Sequence, residues 1–496
     1  MSRPNCLIKL MCAILPLLVT IVAQAQPAVQ WAKCFGGSGV DGAVAVENAW
    51  GGGFVIGGTT ASADGDVTGN HSDGDGFVVK TDNSGNLVWA KCYGGSAPDR
   101  ILSISKTRSE TDSGYIITGA TLSDLGPGTT YHGMDDVWVI MIDVSGNVKW
   151  QKTFGGSLND LGCTVRQTPD GGYIVAGQVG SVDGDVTGNH GMNDYWLLKL
   201  DGQGNLVWQK AIGGSLDEYW LTLDLTYDRG FIMAGYGTSS DGDASNIIGM
   251  SDYWVVKLDS TGTIQWEKNY GGWNIDHATS VHQTRDSGYI LSGKSSFNPE
   301  NNGNYHSVLK IDKNGALQWS SGPWITWDLV PAKAGGYLAV YLDTTGFVLN
   351  KIDDSGSLAW TKTLAGGVGG GIGEGIVQAD DGGYVVVGST YANGGLVTGH
   401  HGLSDMWVLK LAPDPAGFAD PAITRSGIRF YPNPVSEEII FSERVNVKLL
   451  SYTGQLLADE HAVRTLDVNA YPSGLYFLMF FDDKGQLVQQ EKMIRQ

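Results

Sequence analysis

The chain has 496 residues, including 72 glycines and 16 tryptophans, with charged residues at only 17 % and a formal net charge of −20. So much glycine and aromatic residue with so little charge excludes intrinsic disorder and points to short strands joined by tight turns. The acidic balance repels nucleic acid and anionic membrane surfaces, so no nucleic-acid partner is expected.

Residues 1–25 read as a signal peptide. Arg3 and Lys9 give a positive start, Leu10 to Ala23 is apolar, and Ala23-Gln24-Ala25 is a small-x-small cleavage site that would leave Gln26 as the mature N-terminus. This predicts Sec export to the periplasm. The apolar run is short for a membrane helix, and no later segment approaches the roughly 18 apolar residues of a span, so no membrane span is expected. Arg3 and Lys9 leave with the segment, taking the formal net charge from −20 to −22. Cys34, Cys92 and Cys163 remain, an odd number without metal-ligand spacing. Cys34 and Cys92 hold the same position in neighbouring repeats and read as packing residues.

From residue 29 onward one unit recurs. It reads WAKCFGGS at Trp31, WAKCYGGS at Trp89, WQKTFGGS at Trp150, WQKAIGGS at Trp208 and WEKNYGGW at Trp266, with degenerate copies from Trp319 and Trp360. Inside a unit, WQKTFGGSLND leads to CTVRQT, a PDGG turn, YIVAG, a long loop DGDVTGNHGMND, YWLLKLD, a tight turn and LVWQK. These are four short strands, rich in Val, Ile, Tyr and Trp and bounded by Gly and Asp turns. Four-stranded units repeated radially predict a β-propeller. Seven sets of three inner strands start near Ala43, Ile101, Gly162, Trp220, Ala278, Trp327 and Glu374, and seven outer strands carry the repeat tryptophans. The first outer strand, around Trp31, precedes every set, so it is expected to complete the seventh unit and close the ring. Seven outer-strand tryptophans and Trp138, Trp196, Trp254 and Trp407 read as packing between blades.

The pattern of Gly-Gly-Ser, then Asp, then GGYIVAG and NDYWLLKLD resembles the bacterial seven-bladed propeller repeat found in large exported proteins. The resemblance covers residues 29–412 and implies the fold without a settled activity. The expected architecture is all-β: a seven-bladed β-propeller of four-stranded blades over residues 26–412, then a linker at 413–427 and a small domain at 428–496.

That last segment alternates through IRFYPNP, EEIIF, VKLLSYTGQLL, LDVNAYPSGLYFLMFFD and QLVQQEKMIRQ, as a compact immunoglobulin-like β-sandwich would. Tyr431-Pro432-Asn433-Pro434, Gly454, Gly474-Leu475-Tyr476 and Lys492 to Arg495 closely resemble the type A C-terminal sorting domain of the type IX secretion system. The resemblance implies recognition by the outer-membrane export machinery as a partner, and a final location outside the cell or on its outer surface.

In a propeller the tight turns (PDGG, RDSG, DSTG, DGQG) fall on one face and the long connections on the other, where binding residues concentrate. That second face is acidic. Asp64 and Asp66, Asp183 and Asp185, and Asp241 and Asp243 form pairs in the loops before the third strands. Paired carboxylates are hard oxygen ligands, so calcium is one reading; Asp-Gly is also a turn signal, and turn structure is the more economical account. Asp75, Asp136, Asp194, Asp252 and Asp405 open the third strands, and Asp41, Asp99, Asp160, Asp217 and Asp276 recur before the inner ones. Trp220, Trp273, Trp324 and Trp327, with Tyr219, fall outside the repeat positions, at the connections entering the fourth to sixth units. Aromatics beside carboxylates suit stacking against sugar rings, so these residues are the candidate glycan- or peptide-binding set; space filling where repeats degenerate is the alternative.

No G-x-S-x-G elbow and no H-E-x-x-H pair is present, so no enzyme is expected. The expected function is adhesion or capture of a glycan or peptide at the cell surface. A polysaccharide lyase or hydrolase and a structural surface scaffold are the alternatives.

Overall fold

The computed structural model describes residues 26–414, 428 and 430–495, except positions 109–112, 246, 295–306, 323–325, 344–345, 366–374, 392, 432–434, 452–455 and 482–486. The signal segment and residues 415–427 of the expected linker lie outside the described residues.

The described chain is all-β. An opening strand, β1, spans Val29–Phe35. Strands β2–β5 span Asp41–Asn48, Phe54–Thr60, Asp75–Thr81 and Leu87–Tyr93; β6–β9 span Asp99–Lys106, Gly114–Thr121, Asp136–Asp143 and Val148–Phe154. Strands β10–β13 span Asp160–Gln167, Tyr173–Val179, Asp194–Leu200 and Leu206–Ile212; β14–β17 span Glu218–Leu225, Phe231–Gly237, Asp252–Leu258 and Ile264–Tyr270. Strands β18–β21 span His277–Gln283, Tyr289–Lys294, Val308–Ile311 and Leu317–Ser321; β22–β25 span Asp328–Pro331, Tyr337–Asp343, Gly346–Ile352 and Leu358–Ala365. Each of these six quartets is an antiparallel sheet in chain order. The next sheet is different: β26 (Gly375–Gln378), β27 (Tyr384–Thr390) and β28 (Asp405–Leu411) take β1 as their fourth strand. Trp31 stands opposite Lys410 and Cys34 opposite Trp407. Each first strand packs on its neighbours, β2 on β6 and β26, β10 on β6 and β14, β18 on β14 and β22, and β22 on β26. The cycle closes, with the inner strands packed side by side around it.

Burial explains the sequence pattern. Middle strands such as β12, DYWLLKL, are buried throughout because neighbouring sheets cover both faces, whereas outer β13, LVWQKAI, is exposed at its start. Trp138, Trp196, Trp254 and Trp407 are at most 1 % exposed; burying each contributes about 2–3 kcal/mol. The outer-strand rings roof the next sheet's last turn: the Trp31 indole lies over Gly85 and donates to the Asn83 carbonyl at 3.0 Å.

In four sheets a buried lysine ties the first turn to its sheet. Lys199, Lys257, Lys310 and Lys410 meet Asp170, Asp228, Asp286 and Asp381 of the first turn at 2.8–2.9 Å. The β22–β23 turn has Ala334 where those turns have aspartate, so its lysine, Lys351, lacks the local partner. Asp414, just past β28, supplies it at 3.2 Å, with both side chains 2 % exposed, and accepts the Tyr384 hydroxyl at 2.7 Å.

The C-terminal unit has five strands, β29 (Phe430–Tyr431), β30 (Glu438–Ser451), β31 (Leu456–Asp467), β32 (Gly474–Phe481) and β33 (Leu487–Arg495). They share one hydrogen-bond network, with β30 pairing β29, β31 and β32, and β33 on the edge beyond β32. Period-2 alternation puts Ile439, Phe441, Val447 and Leu449 of β30 against Tyr476, Leu478 and Phe480 of β32 in its core.

Candidate functional site

The conspicuous chemistry lies where one sheet hands the chain to the next. Five of the outer strands, β1, β5, β9, β13 and β17, are followed by Gly-Gly, and two carboxylates converge on the first glycine. One opens the third strand of the preceding sheet and the other opens the next inner strand. A Cβ on Gly94 would lie 2.5 Å from Asp99 Oδ2 and 3.1 Å from Asp75 Oδ1, so only glycine fits. The same arrangement surrounds Gly36 (Asp405, Asp41), Gly155 (Asp136, Asp160), Gly213 (Asp194, Glu218) and Gly271 (Asp252, Asp276). These carboxylates are at most 1 % exposed.

Their hydrogen bonds show what they do. Asp160 accepts the amides of Gly156, Gly180 and Ser181 and the Ser181 hydroxyl, at 2.7–3.1 Å, and so fastens the connection to its sheet. The third-strand aspartates accept an amide and a histidine Nδ1 four residues back: His71 on Asp75, His132 on Asp136, His190 on Asp194 and His401 on Asp405, at 2.8–3.2 Å. Asp252 has Ile248 at that place and accepts only its amide, at 2.8 Å. The Oδ1 atoms of Asp136, Asp194, Asp252 and Asp405 are buried without a hydrogen-bond partner. Burial raises the Asp136, Asp160, Asp194 and Asp405 carboxyls above the usual range. Asp252, with no histidine and with the Asp276 charge beside it, is pushed by burial to about 6.

One sequence reading is corrected here. Glu218, not Asp217, is the counterpart of Asp160 in the fourth sheet; it accepts the Gly214 amide at 3.0 Å, while Asp217 takes the Asn193 side chain at 2.9 Å. Glu218 stands four residues after the glycine amide it accepts, as Asp160 does after Gly156, and Asp217 falls where that sheet has Asn159.

The proposed calcium ligands lie above these junctions. Asp64, Asp183 and Asp241 accept the amides of Ser38, Ser157 and Ser215 at 2.6–2.8 Å. Those bonds lower all three carboxyls. Asp66 and Asp185 reach the Gly36 and Gly155 amides at 3.4 and 3.3 Å, and the Asp243 amide donates to Gly213 at 2.9 Å. Each loop thus clasps the preceding connection through the backbone. Among the described residues no three His, Cys, Asp or Glu side chains gather as a metal site.

The aromatic set divides. Trp273 is 82 % exposed and Trp220 is 50 % exposed, whereas Trp327 is half-buried; Trp324 lies outside the described residues. Tyr219 packs on Tyr236 with ring centroids 5.6 Å apart, Tyr236 packs on His277 at 6.0 Å, and the Tyr219 hydroxyl accepts Asn193 Nδ2 at 2.6 Å. Burial and the Asp217 charge push the Tyr219 phenol up to about 12. Trp220 has a φ of 60°, in the left-handed region. It is the third residue of its inner strand, where Ala43, Ile101 and Ala278 are fully buried in other sheets. Inner strands bulge at this place in other sheets too, after Ala43, Ile101, Gly162 and Ala278, so the bulge belongs to the repeat. In β14 it lies between Tyr219 and Thr222, with Leu221 buried and the Trp220 ring left outside.

In the C-terminal unit the sorting residues gather at one end. Tyr431 pairs with Ile440; Val435, just after the Pro-Asn-Pro positions, bridges to Arg495 and donates to the Ile494 carbonyl at 2.8 Å. Gly474 stands opposite Arg495 and Lys492 opposite Phe477. The Tyr476 hydroxyl donates to the Pro472 carbonyl at 2.6 Å. Pro432, Asn433, Pro434 and Gly454 lie outside the described residues.

A closed series of four-stranded sheets followed by this tail defines a propeller-like exported protein. Residues 429–496 match the family model described as a secretion system C-terminal sorting domain, and they are a type IX sorting tail. The tail marks the chain for the cell surface or extracellular space and implies interaction with the secretion machinery. A curated relative, the regulatory protein FlaEY of Caulobacter vibrioides, is 25 % identical over 188 residues, covering 35 % of this chain. The match spans only 19 % of FlaEY's own length. Among solved structures, PorZ, a surface component of the type IX secretion system of Porphyromonas gingivalis, is 11 % identical with a TM-score of 0.41, covering 93 % of this chain and 60 % of its own. A puromycin hydrolase is 11 % identical with a TM-score of 0.47, covering 93 % and 62 %. Likeness at that level decides nothing about activity. No helix among the described residues is long and apolar enough to cross a membrane.

Proposed function

We propose that this chain is a secreted or cell-surface binding protein: a seven-bladed β-propeller that captures a glycan or peptide, carried out of the cell by an immunoglobulin-like sorting domain. The observation that carries the binding reading is Trp220, held at φ 60° and half exposed where other inner strands bury a small or aliphatic side chain. A left-handed backbone at a bulky residue costs about 1–2 kcal/mol, and strain of that size concentrates at functional positions. The neighbouring inner strand β18 is reached through the exposed Trp273, so two indoles flank one sheet boundary. Two flat apolar faces beside Asp217 and Asn193 suit the apolar face of a sugar or an aromatic peptide side chain. The test is a glycan and peptide array probed with the native chain and with Trp220→Ala and Trp273→Ala. Loss of a ligand in both variants supports the reading, and unchanged binding in both overturns it. Turnover of a bound polysaccharide would make the chain an enzyme instead.

A further inference from the structure

The axial channel at the end away from Trp220 carries an unusual set of charges. Glu47, Ser105, Arg166, Asp224, His282, Val330 and Val377 occupy one register position on the seven inner strands, opposite Val55, Ile116, Ile174, Ile232, Ile290, Leu338 and Val385 of the adjoining second strands. The chain therefore sets a carboxylate, a guanidinium, a second carboxylate and an imidazole at one level of the ring.

The carboxylates are anchored to backbone. Glu47 accepts its neighbour's amide, Asn48, at 2.8 Å. Asp224 accepts the amides of Leu225 and, across the sheet boundary, Gln283, at 2.9 and 3.2 Å. His282 Nδ1 lies 3.5 Å from the same carboxylate. One level up, Asp328 binds the Leu329 and Ile376 amides at 2.8 and 3.0 Å. These bonds hold each carboxylate back against its strand. The guanidinium is not matched in the same way. Arg166 has one hydrogen bond among the described residues, to its neighbour's carbonyl, Val165, at 2.9 Å, and no carboxylate comes within ion-pair distance. Its strand, β10, is next to the strand of Asp224, β14, and one strand removed from that of Glu47, β2, around the ring, and its charge lowers both carboxyls. Burial nonetheless leaves Glu47 raised overall.

A guanidinium offers five donors in a fixed fork that fits a carboxylate in two places. Enclosed opposite charges that do not meet leave each only partly compensated, an arrangement stabilised by a group that spans the gap. We propose that the axial channel binds a small zwitterion, an α-amino acid or the end of a short peptide, with its carboxylate on Arg166 and its ammonium group toward Asp224 and Glu47. Lys106, near Glu47, and His282 complete the charged surroundings.

Calorimetric titration of the full chain with free amino acids, dipeptides, and their C-amidated and N-acetylated forms tests this. At least one zwitterion should bind with Kd of about 1 mM or tighter. Amidation of its carboxylate and the Arg166→Gln and Arg166→Lys substitutions should each weaken binding at least about tenfold, roughly 1.4 kcal/mol. Arg166→Lys keeps the charge and loses only the fork, which guards against a folding defect in Arg166→Gln. Binding by dipeptides but not free amino acids would identify a peptide end as the natural source, and the reverse a free amino acid. Trp273→Ala should leave this binding intact, so the channel and the aromatic surface stand or fall separately. No heat from any member at about ten times that concentration, or affinity unchanged in both Arg166 variants, overturns the proposal.

Discussion

Replacing Asp252 by asparagine should stabilise this protein at neutral pH and do nothing in acid. Asp252 and Asp276 converge beside Gly271, and Asp252 lacks the histidine that its counterparts have, because residue 248 is isoleucine. Its carboxyl is raised from 3.8 to about 6. Below pH 3.8 the group is protonated in both the folded and unfolded chain and contributes no penalty. Between pH 3.8 and about 6 the folded chain holds the proton more tightly, so stability falls as pH rises, and above 6 the full penalty applies. A rise of that size corresponds to about 3 kcal/mol. An unfolding entropy of about 0.8 kcal/mol/K, expected for a ring of this length, turns that into about 3–4 °C of Tm. Asparagine keeps the shape and the acceptor for the Ile248 amide, and its amide N–H₂ can face Asp276. Melting curves of Asp252→Asn and the native chain at pH 3.5 and pH 7.5 are the assay. A Tm gain of a few degrees at the higher pH and none at the lower is expected. A loss at pH 7.5, or the same shift at both, would refute the reasoning. Ile248→His should recover part of the gain by restoring the donor.

Trp220→Gly removes the left-handed strain and should raise stability by about 1 kcal/mol while abolishing capture by the aromatic surface, read by Tm and array binding together. Asp414→Ala strands Lys351, which is 2 % exposed, and should destabilise by about 3–5 kcal/mol; Ala334→Asp, placing an aspartate where Asp170 stands in its own sheet, should restore most of it, measured by denaturant titration. The Asp170 carboxyl, held by hydrogen bonds from Thr168 and Lys199 against burial, is lowered to about 2. Its contribution is therefore present above pH 3.8 and lost as pH falls toward 2, opposite in sign to Asp252, which a pair of Asp170→Asn melts at pH 2.5 and 6 would reveal. Millimolar calcium and then chelator should leave Tm unchanged, because Asp64, Asp183 and Asp241 are occupied by serine amides; a chelator-reversible rise would restore the metal reading.

Much of this was legible in local pattern. Alternation, Gly-Asp turns and the recurring Trp-x-Lys motif determine four short strands per unit, since strand period and turn chemistry are properties of neighbouring residues. The same phase shows that the Trp31 strand stands apart from its own set, and the terminal motifs mark the sorting tail. Trp220 and Trp273 stood out because they break the repeat. What only the tertiary structure decided is which side chains meet between sheets. Gly271 gathers two aspartates from different sheets; Asp414 replaces a missing turn aspartate in a sheet other than the one it follows; and Glu47, Arg166 and Asp224 stand at one level because three inner strands share a register. Those contacts depend on how whole sheets are rotated against one another, and no period within a strand encodes that rotation.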